Sequence, residues 1–250
     1  MNGIDIFLWG IAAYISFTML IVVTAIRRVF FARTWTSKSS EFLERKQERV
    51  ANPLFHLSIL FVFFGHVGGV LIPHEVTDAL GVSEEMYHMA AFGMGGLFGV
   101  LLGLALILLI RRRFGGYERM KANTSTSDKV LYVVLTATIV MGLVATFSNA
   151  SGAFNYRESL SPWFRSLFAF QPDIALMAQV PLAFKIHMCC WMILFAVLPF
   201  TRLVHMFSGI TAPFKYARRK AVLYRARMHD VRAHGERDLE FPDAIILDRK

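Results

Sequence analysis

Histidines interrupt stretches that are otherwise almost wholly apolar. NPLFHLSILFVFFGHVGGVLIPH, Asn52 to His74, carries His56, His66 and His74, and His187 and His205 bracket MCCWMILFAVLPFTRLV. An ionisable ring in hydrocarbon is costly enough that such residues point to function. Two histidines on each of two helices suit b-type haem, in which iron takes an axial imidazole from either side and the macrocycle lies between helices of a bundle. A proton relay or a hydrogen-bonded structural network is the competing chemistry. Zinc fits less well, because it gathers three or four ligands in one place, often with Cys or carboxylate. Cys189 and Cys190 are adjacent, outside any redox motif, and read as packing residues. No C-x-x-C-H occurs, which excludes covalently attached haem.

Apolar runs long enough to position these side chains in a bilayer, roughly 20 residues as a helix, fall at about 4–26, 53–73, 87–110, 130–150 and 182–201. With 55% hydrophobic residues, 18% charged residues and a mean hydropathy of +0.48, the chain reads as an all-α membrane protein of five transmembrane helices. The first run has no Lys or Arg before it and too long an apolar core for a cleavable signal, so it is expected to remain as a helix. The loop at 151–181 is expected to hold a short interfacial helix near Ser161 to Phe170. In the third run the G-x-x-x-G relation of Gly95 with Gly99 favours close helix packing. No strand precedes those glycines, so they form no nucleotide fingerprint. No repeat or low-complexity tract is evident.

The net charge of +9 is distributed by loop. The segment after the first run carries Arg27, Arg28, Arg33, Lys38, Arg45, Lys46 and Arg49, and the one after the third carries Arg111, Arg112, Arg113, Arg119, Lys121 and Lys129. The head and the loop at 74–86 carry none, and the loop at 151–181 only Arg157 and Arg165. The positive-inside rule then puts the N-terminus outside and the C-terminus in the cytoplasm. This alternation argues for a lipid bilayer as partner and against nucleic acid.

In that topology the two histidine-bearing helices run antiparallel. His56 lies toward the inner face and His66 about 15 Å above it, while His187 lies toward the outer face and His205 about 27 Å below it, at a rise of about 1.5 Å per residue. His66 then pairs with His187 and His56 with His205, as two stacked haems. The unequal spacings leave roughly 12 Å of axial mismatch, to be absorbed by tilt, rotamers and a kink at Pro199. His74 is a rival partner by spacing, although it follows Pro73 at the helix end. Spacing alone leaves both pairings open.

The L-F-H-x9-H-x7-H run from Leu54, F-K-I-H at 184–187, P-F-T-R-L-V-H at 199–205, W-T-S-K-S-S-E-F-L-E-R-K at 35–46 and the basic tail around 220–227 together resemble the gamma subunit of membrane-bound respiratory nitrate reductase. The likeness extends from the first apolar run to about Arg227. It implies a cytochrome b of the cytoplasmic (inner) membrane of a prokaryote that holds two haem b groups and oxidises membrane quinol near the outer face. Electrons would pass to an iron-sulphur beta subunit, and nitrate would be reduced on a molybdenum-containing alpha subunit. By resemblance His66 and His187 hold the outer haem and His56 and His205 the inner one, with His74 outside both. The same likeness divides the chain into a dihaem domain, 1–205, and a cytoplasmic tail, 206–250, that docks on the iron-sulphur partner.

Further residues bear on this reading. Arg202, three residues before His205, and Arg112, in the Arg111 to Arg113 cluster, are candidate partners for inner-haem propionates or else topology anchors. Lys185 either serves the outer haem or snorkels. Where some family members carry a quinol-binding lysine this chain has Met86, with His88 two residues on. His88 either accepts a hydrogen bond or proton from quinol or faces water and headgroups. Gly65 gives room for a close approach beside His66. Two other functions fit the residues: a dihaem cytochrome serving a reductase of sulphur or heterodisulphide metabolism, and a non-redox membrane anchor or transporter.

Overall fold

The computed structural model describes residues 2–31, 48–115 and 121–207. Among them the regular structure is helical, with no strand. Five helices are long and apolar enough to cross a membrane: Gly3–Phe30, Arg49–Leu71, Glu84–Phe114, Thr126–Ser148 and Leu182–Phe200. Each expected run is there, and most run past the apolar limits because polar residues cap them. The Ser83 hydroxyl accepts from the Met86 amide to open the third span, and Ser125 with Asp128 makes a reciprocal capping box at the start of the fourth. Both satisfy amide groups that a helix start leaves without partners.

The second span packs on the third, the third on the fourth, the fourth on the fifth and the fifth on the first. Two apolar cores result. Leu102, Leu106, Leu131, Leu135 and Ile139 fill the seam between the third and fourth spans. Trp9, Ala13, Trp163, Leu167, Met188 and Met192 join the first and fifth spans to the long loop. That loop contains a short helix, Leu160–Phe168, where one was expected near Ser161 to Phe170. The Trp163 indole donates to the Trp9 carbonyl at 3.0 Å, and its ring meets that of Trp9 edge-on.

The glycine seam differs in detail from the sequence expectation. A methyl group at Gly95 would meet nothing within 4 Å, whereas one at Gly99 would lie 2.9 Å from Leu143 Cδ2 and one at Gly96 3.7 Å from Phe147. Gly96, Gly99 and Gly103 form the contact face with the fourth span; Gly95 lies off it.

A larger correction concerns the fifth span. The α-helix runs from Leu182 to Val197, tightens to a 3-10 turn over Leu198–Phe200 and breaks at the extended Thr201 before a second 3-10 turn over Arg202–Val204. Pro199 has no amide hydrogen for the i−4 ladder, and the helix does not continue through it as a kinked rod. The 27 Å rise to His205, and the mismatch drawn from it, therefore do not apply. The second span changes too: an α-helix, Glu48–His66, passes into a π-helical turn, Val67–Leu71, and ends before Pro73. His74 opens a separate short helix, His74–Ala79.

The chain divides into two units, Met1–Val204 and His205–Lys250, and of the second only residues 205–207 are described. Within the second, His205 is half-buried in a helical turn. The W-T-S-K-S-S stretch and the tail from 208 onward lie outside the described residues.

Candidate functional site

Three of the five histidines of the first unit, His56, His66 and His187, are each tethered through Nδ1 to a backbone carbonyl. His56 Nδ1 lies 2.8 Å from the Asn52 carbonyl oxygen and His66 Nδ1 2.7 Å from that of Val62, each one turn back along the same helix. His187 Nδ1 lies 3.1 Å from the Thr138 carbonyl oxygen, on the fourth span. A carbonyl oxygen only accepts, so Nδ1 donates in each pair and Nε2 keeps its lone pair. That is the tautomer a metal-binding imidazole needs, with the remote nitrogen hydrogen-bonded to orient the ring.

His66 and His187 face each other with ring centroids 6.0 Å apart and planes at 44°. An imidazole nitrogen binds a transition metal at about 2.0–2.1 Å, as at zinc, so two imidazoles that shared one ion would hold their centroids within roughly 6 Å of each other. The second and fifth spans are not close-packed neighbours, and His66 is exposed on the flank of its helix. Among the described residues no three His, Cys, Asp or Glu side chains gather into a metal site; His66 and His187 are two imidazoles that this region brings together. The residues present fit a haem at His66 and His187. His56 presents the same tethered imidazole about 15 Å along the second span.

The fourth span carries the contacts that sequence reasoning missed. A Cβ at Gly142 would lie 2.9 Å from His187 Cε1, 3.4 Å from Nδ1 and 3.5 Å from Nε2. Neither Thr138 nor Gly142 is a residue type that signals a cofactor, and only the neighbouring helix reveals their role.

At the end of the bundle that bears the third-span arginines, Arg113 and Asp128 pair at 2.6 Å, and Arg202 Nε binds the other oxygen of Asp128, also at 2.6 Å. Arg202 is thus engaged with a carboxylate of the chain itself, and Arg112 is buried beside Arg113. Nothing in the sequence singled out Asp128, which lies just before the apolar run expected to start at 130.

The opposite end holds the other candidates. His88 Nε2 lies 3.3 Å from the Ala150 carbonyl oxygen, and its ring stacks on Phe92. It lines an open cavity of about 240 Å³ with Glu84, Glu85, Tyr87, Tyr156 and Arg157. Met86 is exposed at the head of the third span, and a Cβ at Gly65 would meet nothing within 4 Å. Lys185 Nζ reaches the Ala178 carbonyl at 3.5 Å. The fully buried Arg157 was read only as a sparse loop charge. It binds Glu84 at 2.7 Å and the Thr77 hydroxyl, and lies 4.0 Å over the Tyr87 ring. The Tyr156 hydroxyl would contact a Cβ at Gly69, and burial together with the nearby Tyr87 pushes its phenol above the ordinary range.

Five helices long and apolar enough to cross a membrane, with carbonyl-tethered histidines among them, define a helical protein of membrane-spanning type. Comparison with known proteins narrows this. The family model for the nitrate reductase gamma subunit matches residues 5–227, and the chain belongs to that family. It is 42% identical over 221 residues to the nitrate reductase gamma chain of Bacillus subtilis, covering 88% of this chain and 97% of that one. The respiratory nitrate reductase 1 gamma chain of Escherichia coli is 32% identical over 229 residues, 91% of this chain and all of that one. A nitrate reductase-like protein, NarX, of Mycobacterium tuberculosis is 43% identical over 224 residues, of which 88% of this chain spans 33% of that longer protein.

Proposed function

We propose that this chain is the membrane cytochrome b subunit of a respiratory nitrate reductase, oxidising quinol near the outer face and delivering electrons to an iron-sulphur subunit on the cytoplasmic side. The observation that carries the reading is the His66–His187 pair, 6.0 Å apart with His187 tethered through Nδ1 and His66 likewise. Membership of the gamma subunit family supports it.

Two b haems, when bound, supply the one-electron carriers that cross the lipid. The chain's own residues do the rest. His66 and His187 offer Nε2 to the outer group, and the Val62 and Thr138 carbonyls hold the tautomer. By family resemblance His56 and His205 serve the inner group; position along the chain makes Arg112 and Arg202 the candidates for its propionates, and the Asp128 carboxylate already holds Nε of Arg202. Quinol binds where His88 and Gly65 border the long-loop end, and its protons leave toward the outer side. The basic segments after the first and third spans support a cytoplasmic placement of the opposite end, which bears Arg111 to Arg113, with the N-terminus outside. The tail, 206–250, docks on the iron-sulphur beta subunit, and nitrate is reduced on the molybdenum-containing alpha subunit. The protein resides in the inner membrane of a prokaryote, as a multi-pass subunit.

Single replacements test the assignment on the purified complex. His66→Ala and His187→Ala are each expected to remove one and the same haem from the reduced-minus-oxidised spectrum and spare the other; His74→Ala retains both. Loss of the outer haem in His74→Ala, with retention in His66→Ala, would overturn the pairing. Co-purification with molybdenum and iron-sulphur subunits separates nitrate reductase from a cytochrome serving another reductase.

A further inference from the structure

The three tethered histidines are not held alike. His56 and His66 donate to carbonyls of their own helix, so each imidazole travels with its span. His187 donates across to the Thr138 carbonyl of the fourth span, and its ring lies close against Gly142 of that same span. Thr138 and Gly142 are four residues apart and lie on one face of the helix. Thr138 holds Nδ1, while the absent side chain at Gly142 lets the ring sit where any Cβ would press on Cε1 at 2.9 Å.

We propose that the fourth span is the orienting element for His187, with Gly142 a positioning residue that sets the plane and reach of that imidazole through the space it leaves. This deepens the assignment of a haem to His66 and His187 and rests on it. The contact is with a rigid ring hydrogen-bonded to its own seat. A methyl group cannot be accommodated by bending a flexible chain end, and the ring must turn or withdraw, weakening the Thr138 bond.

The bundle supplies its own control. A Cβ at Gly99 would be equally close, 2.9 Å, but to Leu143 Cδ2, the end of a flexible side chain. The experiment compares Gly142→Ala and Gly99→Ala in the intact complex, reading haem content, the electron paramagnetic resonance signal of each oxidised haem and its midpoint potential. Gly142→Ala is expected to shift the outer-haem signal and potential, or to lose half the haem, with the inner haem unchanged; Gly99→Ala leaves both haems as they are. Unchanged spectra in Gly142→Ala, or the same outer-haem change in Gly99→Ala, would overturn the proposal. If Gly142→Ala fails to assemble, Gly142→Ala in complexes matured at lower temperature is read by the same signals, and loss of both haems together there also counts against it. A wild-type complex with no haem at His66 and His187 would instead sink the assignment on which the proposal rests.

Discussion

At the scale of single residues, the second nitrogen of each histidine matters as much as the first. The sequence displays histidines in apolar runs, and the cost of such rings in lipid makes them legible as functional. It does not display Val62, Asn52 or Thr138 as their partners, because those contacts are made by carbonyls that every residue has. Gly142 is equally silent: its meaning depends on the distance to a ring on another helix. Tyr156 is likewise visible only in three dimensions. Burial and Tyr87 raise its folded-state pKa, whereas the unfolded phenol titrates near pH 10. As pH rises above about 10 the unfolded chain gives up this proton and the folded chain keeps it, so stability falls with pH. Below about pH 9 the phenol is neutral in both states and adds no slope. Melting temperatures of the detergent-solubilised protein between pH 8 and 11 should decline less steeply in Tyr156→Phe than in the wild type; equal slopes would refute this role.

At the scale of elements, apolar length located all five helices able to cross a membrane, since crossing a bilayer demands a long apolar run. The ends were less legible. The π-helical turn after His66 leaves the Gly69 and Val70 carbonyls without helical partners, and Ser161 and Arg165 of the loop helix donate to them. The fifth helix stops earlier than expected because Pro199 and Thr201 interrupt its ladder. Its last turn is fastened by Arg202 to Asp128, which also pairs with Arg113. Removing the carboxylate leaves the buried Arg113 guanidinium without its counter-charge, which costs about 3–5 kcal/mol when a buried pair is broken. Asp128→Asn is therefore expected to lower thermal stability markedly. Arg202→Gln should cost less, because Arg202 is 26% exposed and Asp128 retains Arg113. Thermal denaturation of the two variants in the same detergent checks the order, and equal losses would contradict it.

At the scale of the whole molecule, charge distribution predicts the direction of the bundle in the membrane. A cysteine introduced at Asn2 or at Ser151 should react with a membrane-impermeant maleimide added to intact cells, in a background with Cys189 and Cys190 replaced. One at Lys121 should react only after permeabilisation. The reverse pattern would invert the topology and put the His66–His187 pair near the cytoplasm, where quinol oxidation would release protons on the wrong side to separate charge.

Sequence by itself determined the membrane class, the number of spans, the histidines worth following and, through motif resemblance, the family. These depend on composition, on apolar length and on residue types that are expensive in lipid, all of which are local properties of the chain. Tertiary structure added the 6.0 Å between His66 and His187 to a pairing the resemblance had implied, and it alone decided that His187 is seated on the fourth span and that Arg202 closes on Asp128. Each of these is a distance between helices, set by how side chains of different spans pack, and no spacing along one helix encodes it.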